Sequence, residues 1–198
     1  MDVVDSDFSV LEGTYCFCSE ESAALIRQKI SSLPLHAVHL LGTGGYHYIT
    51  LLWLEMVSEP FSLVLFDNHP DDLHGAFGDD MLSCGNWVLR VRTLPLLKDV
   101  LWIRDVQDTA RFPSLDDGLV YVSVDLDVLS PDYAHTDWNQ GDMTLGELKK
   151  ALTILCDSHR IAGADICGGQ GTQKKASSVD FALNKTAEET LIKLFCRI

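Results

Sequence analysis

The sequence predicts an α/β fold with a mainly parallel sheet, and three observations lead there. Apolar runs of strand length recur along the 198 residues, at 36–42 (HAVHLLG), 61–67 (FSLVLFD), 99–106 (DVLWIRDV), 118–128 (GLVYVSVDLDV) and 159–168 (HRIAGADICG). Several of them are continuous rather than alternating, which marks strands covered on both faces. Helix-like segments lie between them, and such strand–helix alternation is the pattern of a sheet wrapped by crossover helices.

Taken in order, the first helix is SEESAALIRQKI (19–30), where Ser19 can cap and Glu20 and Glu21 complement the helix dipole. Strand 36–42 leads into a second helical stretch, YHYITLLWLEM (46–56), and strand 61–67 follows. Strands 99–106 and 118–128 precede the helix MTLGELKKALTILC (143–156), and strand 159–168 follows it. GGQGTQKKASS (168–178) reads as a loop. The spacing of Thr186 and Glu189 is a capping-box pattern and predicts that the last helix starts near TAEETLIKLFC (186–196). With no internal repeat, low-complexity tract or linker, residues 1–198 read as a single domain, long enough to bury a core without disulfides or a structural metal.

Charge removes whole classes of partner. With 29 acidic and 15 basic residues the net charge is −14, which argues against nucleic acid and against an anionic membrane, since both demand a basic footprint. The amino terminus MDVVDSDFSV lacks a basic segment followed by an apolar core, and no apolar run approaches the ~20 residues of a spanning helix, so a cytoplasmic location is expected. The six cysteines (16, 18, 84, 156, 167, 196) form no CxxC pair and read as reduced, packed thiols.

Chemistry concentrates just past strand ends, where open α/β sheets bind ligands. His47 follows strand 36–42, Asp67, His69 and Asp71 stand in FDNHPDD (66–72), and Asp125 and Asp127 close strand 118–128. Alternate residues of an extended chain point the same way, roughly 6.5–7 Å apart, so 67, 69 and 71 can converge, as can 125 and 127. Taken singly, each has a plainer reading: an Asp after a strand is commonly a turn or cap residue, and a histidine among glycines and aromatics is commonly packed. Together, two histidines and four carboxylates form an oxygen-rich set suited to manganese. Four crowded negative charges call for compensation, which two divalent ions would supply.

On these residues the sequence resembles the ureohydrolase superfamily, the arginase and agmatinase group, over about residues 40–150. GGYH (44–47) stands where the family has Gly-Gly-Asp-His, DNHPD (67–71) where it has Asp-Ala-His-x-Asp, and SVDLDVLSPD (123–132) where it has Ser-x-Asp-x-Asp-x-x-Asp-Pro. The resemblance implies a three-layer αβα sandwich, arginase-like, and two Mn2+ per chain. His47 and Asp71 would serve one ion, His69 and Asp127 the other, with Asp67 and Asp125 bridging. It further implies a hydrolase in which a metal-bridging hydroxide attacks the carbon of a guanidino- or amidino-type small molecule and a C–N bond breaks. GDMTLGE (141–147) resembles the family's Gly-Gly-x-Thr-x-x-Glu, which makes Glu147 a candidate beside the substrate; the same spacing of Thr144 and Glu147 is also a capping box. Homo-oligomers are a family habit and are expected on that ground alone.

Departures from the family pattern are specific. Tyr46 replaces an aspartate, Asn68 an alanine, and Trp87 and Val88 occupy the place of the family's proton-shuttling histidine, leaving the loop residue His74 as the candidate replacement. Familiar members are also about half as long again. Two rival readings are a non-catalytic metal-binding protein of this fold and a calcineurin-like metallophosphoesterase. The second rests on DNH (67–69), GDD (78–80) and GNW (85–87), but it leaves Asp125 and Asp127 unexplained.

Overall fold

The computed structural model describes residues 1–6, 8–74, 81–115, 118–170 and 177–197. Its strands are β1 (Asp2–Asp5), β2 (Phe17–Cys18), β3 (Ala37–Leu40), β4 (Phe61–Phe66), β5 (Leu82–Ser83), β6 (Leu97–Ile103), β7 (Leu119–Asp125) and β8 (Arg160–Cys167). The helices are α1 (Glu20–Ile30), α2 (Ile49–Leu54), α3 (Trp87–Val91), α4 (Leu145–Ser158) and α5 (Ser178–Phe195). Six strands form one sheet in the order β1-β3-β8-β7-β4-β6, and every pairing in it is parallel. The five strands expected from apolar runs are all present, and β1 adds an edge too polar to have signalled itself.

The sheet separates two apolar clusters, which completes a three-layer αβα sandwich. On one face Leu63 and Leu65 of β4 pack with α1, α2 and α3; on the other Val64 and Phe66 pack with α4 and α5. All six residues of β4 are buried, the two-sided burial that its unbroken apolar run implies. Each such Leu, Val or Phe contributes roughly 1.5–3 kcal/mol when fully buried. All six cysteines are free. Among the described residues no helix is long and apolar enough to cross a membrane.

Helix starts follow the caps, with one correction. The Ser19 hydroxyl accepts from Ser22 N at 3.1 Å, and Thr144 and Glu147 make both bonds of a capping box ahead of α4. The last helix does not begin at Thr186. It begins eight residues earlier at Ser178, where Ser177 and Asp180 form the capping box, and the Thr186 hydroxyl instead donates to Ala182 O at 2.7 Å. A threonine three residues before a glutamate is as compatible with a helix interior as with a cap, because the hydroxyl can bond back one turn. Of the expected loop at 168–178, residues 171–176 lie outside the described residues.

Candidate metal centre

Four neighbouring strands, β3, β8, β7 and β4, point their carboxyl ends at one cleft of about 160 Å3. After β3 the chain turns through a short 3-10 segment, Gly44–Tyr46, which delivers His47. A Cβ at Gly44 would stand 2.8 Å from Trp138 Cδ1 and 3.0 Å from Asp125 Oδ2, so only glycine leaves the cleft open there. β4 delivers Asp67, and the turn after it delivers His69 and Asp71; β7 ends on Asp125, and the 3-10 turn that follows holds Asp127. All six line the cleft, with walls of Pro70, Leu73, Cys84, Gly85 and Trp138.

The six side chains interlock. His47 Nδ1 lies 3.1 Å from Asp67 Oδ2, 3.1 Å from Asp71 Oδ2 and 3.6 Å from Asp125 Oδ2. His69 Nδ1 lies 2.8 Å from Asp127 Oδ2 and 3.5 Å from Asp67 Oδ1. Donor atoms within metal-binding reach of one another form the sets His47–Asp67–Asp71 and Asp67–His69–Asp127, with Asp67 common to both. Backbone amides fix the carboxylates from behind: His69 N donates to Asp67 Oδ1, Asn68 N to Asp127 Oδ1 and Asp127 N to Asp125 Oδ1.

Burial dominates the electrostatics. It pushes the Asp71, Asp125 and Asp127 carboxyls upward, and neighbouring carboxylates add to the rise. Burial opposes a charged His47, but Cys167, Asp67 and Asp71 around it outweigh that and raise it well above its ordinary value. Hydrogen bonds to Asp127 and Asp67 carry His69 up to about 10. Four carboxylates, each 8% exposed or less, are held together with two imidazoles as their nearest basic groups. Such a set is relieved by cations, and its oxygen-and-nitrogen chemistry fits divalent metal ions.

A second ring of residues, unmarked in the sequence, orients the first. Ser123 donates to Asp165 Oδ1 at 2.7 Å, so its oxygen accepts from His47 Nε2 at 2.9 Å, which leaves Nδ1 turned to the carboxylates. Trp87 Nε1 donates to Asp71 Oδ2 at 2.7 Å, and Val88 N donates to Asp71 O at 3.1 Å. These bonds hold Asp71 at φ 49°, a left-handed backbone that costs a non-glycine residue about 1–3 kcal/mol. Trp87 thus anchors the Asp71 carboxylate and Val88 its main-chain carbonyl. The side chain of Asn68 ties the loop to Asn139 O at 2.8 Å and accepts from Arg104 Nε at 3.1 Å, while Tyr46 packs edge-on against Tyr15. One signal was legible: Ser123 and Asp125 alternate on β7, and Asp165 is an acidic residue inside an apolar strand, directly opposite Ser123 in register.

The two remaining candidates lie apart from the six. Glu147 directs its carboxylate to Thr144 N and Thr144 Oγ1, at 2.9 and 2.7 Å, which holds it below the usual carboxylate range. His74 is exposed, one residue beyond the cleft wall at Leu73, and neither His74 nor Glu147 is among the described residues lining the cleft. Of the phosphoesterase-like elements, the Asn86 side chain is engaged with Ser83 N and Met81 O, and GDD (78–80) lies outside the described residues.

No family model matches the sequence. An uncharacterized protein of Thermotoga maritima is 32% identical over 152 residues, covering 69% of this chain and 60% of that protein. Among solved structures, a hypothetical agmatinase from Burkholderia thailandensis superposes with a TM-score of 0.66 at 20% identity, over 91% of this chain and 66% of that one. The arginase of Bacillus caldovelox gives 0.65 at 16% identity, over 92% and 79%. The formimidoylglutamase of Bacillus subtilis gives 0.65 at 15%, over 88% and 66%. The chain has an arginase-like fold, and it spans less than two thirds of the length of the Thermotoga protein and of the agmatinase.

Proposed function

We propose that this chain is a binuclear metal-dependent hydrolase that cleaves a C–N bond in a small guanidino- or amidino-type molecule. The observation that carries the reading is the convergence of six donors from three strand ends in one cleft, on a fold shared with arginase, agmatinase and formimidoylglutamase structures. His47 and Asp71 would hold one cation and His69 and Asp127 the other, with Asp67 and Asp125 shared between them, and the predominance of carboxylate oxygen favours two manganese ions. When bound, such a pair supplies a water activated at neutral pH and positive charge against a tetrahedral carbon.

The chain's own residues do the positioning. Ser123 keeps the His47 ring turned with Nδ1 toward the cleft, and Trp87 holds Asp71 there. Half-exposed His69 stands at the mouth, where Pro70, Leu73 and Trp138 form an apolar rim that screens the reacting group from bulk water.

The reading is tested on protein purified with manganese, by metal analysis and by turnover of guanidino, amidino and phosphoester panels. About two ions per chain and hydrolysis of a C–N substrate, both sharply reduced in Asp125→Ala, are expected. One ion per chain that survives Asp125→Ala, or turnover of phosphoesters alone, would refute it.

A further inference from the structure

Cys167 ends β8 directly opposite Asp125 in the parallel register with β7. Its Sγ lies 3.2 Å from Asp125 Oδ2, the oxygen that stands 3.6 Å from His47 Nδ1. Donor atoms of His47, Asp125 and Cys167 all lie within 4.8 Å of one another, and the three residues are 1%, 2% and 1% exposed. Ligands at about 2.0–2.3 Å from a single ion stand roughly 3–3.7 Å apart, which the nitrogen–oxygen and sulfur–oxygen separations match. A Cβ at the next residue, Gly168, would stand 2.1 Å from Asp125 Oδ1, so glycine there lets sulfur and carboxylate close on the same point.

Resting on the metal-centre reading above, we propose that Cys167 is a thiolate ligand of the cation held by His47. The two halves of the centre then differ in kind. The His47 half, with nitrogen, oxygen and sulfur donors, prefers a thiophilic or borderline ion of the zinc, cobalt or ferrous class over the manganese that carboxylate oxygen alone favours, while the Asp67–His69–Asp127 half has no sulfur and suits manganese. Ligation exchanges the thiol proton for a metal–sulfur bond, and the proton leaves to solvent.

The test is a titration of the metal-free full chain with Co2+, followed by absorption spectroscopy. A sulfur-to-cobalt charge-transfer band in the near ultraviolet is expected, lost in Cys167→Ser and kept in Cys84→Ser, whose thiol lines the same cleft. Zn2+ affinity of Cys167→Ser is expected to fall about tenfold or more, with Mn2+ affinity changing less than about threefold. Stoichiometric Co2+ binding without the band overturns the ligand assignment whether or not the variants fold, and so does a band that survives Cys167→Ser or disappears in Cys84→Ser. Failure to bind Co2+ at all removes the metal centre of the preceding section and this ligand with it.

Discussion

The two histidines of the cleft stand in opposite surroundings. The His47 side chain is 1% exposed and is enclosed by Ser123, the Trp87 ring at 4.9 Å and three carboxylates. His69 is 36% exposed at the side chain and held chiefly by Asp127 at 2.8 Å. In the sealed half His47 is fixed by Ser123 of the sheet and Asp71 by Trp87 of α3. The open half meets solvent through its histidine, beside the apolar side chains of Pro70, Leu73 and Trp138. Asp67 is the joint, with one oxygen toward each ring.

The largest effect should come from breaking that joint. Asp67→Ala is expected to leave less than about one cation per chain, whereas Asp127→Ala should retain about one on the sealed side, because only the first removes a carboxylate shared by both rings. Elemental analysis after gel filtration decides; equal retention would mean that the halves do not load independently.

A buried histidine that meets no carboxylate sharpens the contrast. His39 is 0% exposed, stacks on Trp53 at 3.6 Å and bonds Tyr121 Oη and Pro34 O. Burial pulls it down to about 4, against the upward pull on His47. The unfolded chain then binds the extra proton first, so this contribution is complete above pH ~6.5 and is lost as pH falls toward about 4. Urea unfolding across that window should cost wild type on the order of 3 kcal/mol more than His39→Gln. Equal slopes would show that His39 is not held neutral.

Trp87→Phe is the finest probe. It keeps the ring against His47 and removes the N–H that Asp71 accepts, a bond to a charged group worth about 1.5–3 kcal/mol. Competition titrations should show roughly tenfold weaker binding of one cation and no change in the other. Equal weakening of both would assign Trp87 to general packing.

Much of this was readable before any coordinates. β4 announced itself because all of its side chains are apolar and all are buried, and α1 because Ser19, Glu20 and Glu21 act within one turn. That His47, Asp67, His69, Asp71, Asp125 and Asp127 line one cleft was foreshadowed by their residue types at strand ends. The start of α5 was not, since Thr186–Glu189 and Ser177–Asp180 offer the same cap spacing, and only the tertiary setting selects one. Trp87 and Cys167 gave no signal as site residues, and Ser123 and Asp165 only a faint one, because each acts through a partner 16 to 76 positions away.

By itself the sequence determined the five apolar strands, the residue types in the cleft and the excess of negative charge at the sheet's rim, because periodicity and residue type act over a few positions. Which of these side chains lie side by side was decided by the tertiary structure. The order β3-β8-β7-β4 and the register of Asp125 against Cys167 bring residues 47, 67, 125 and 167 together, and strand order is a property of packing that no local stretch contains.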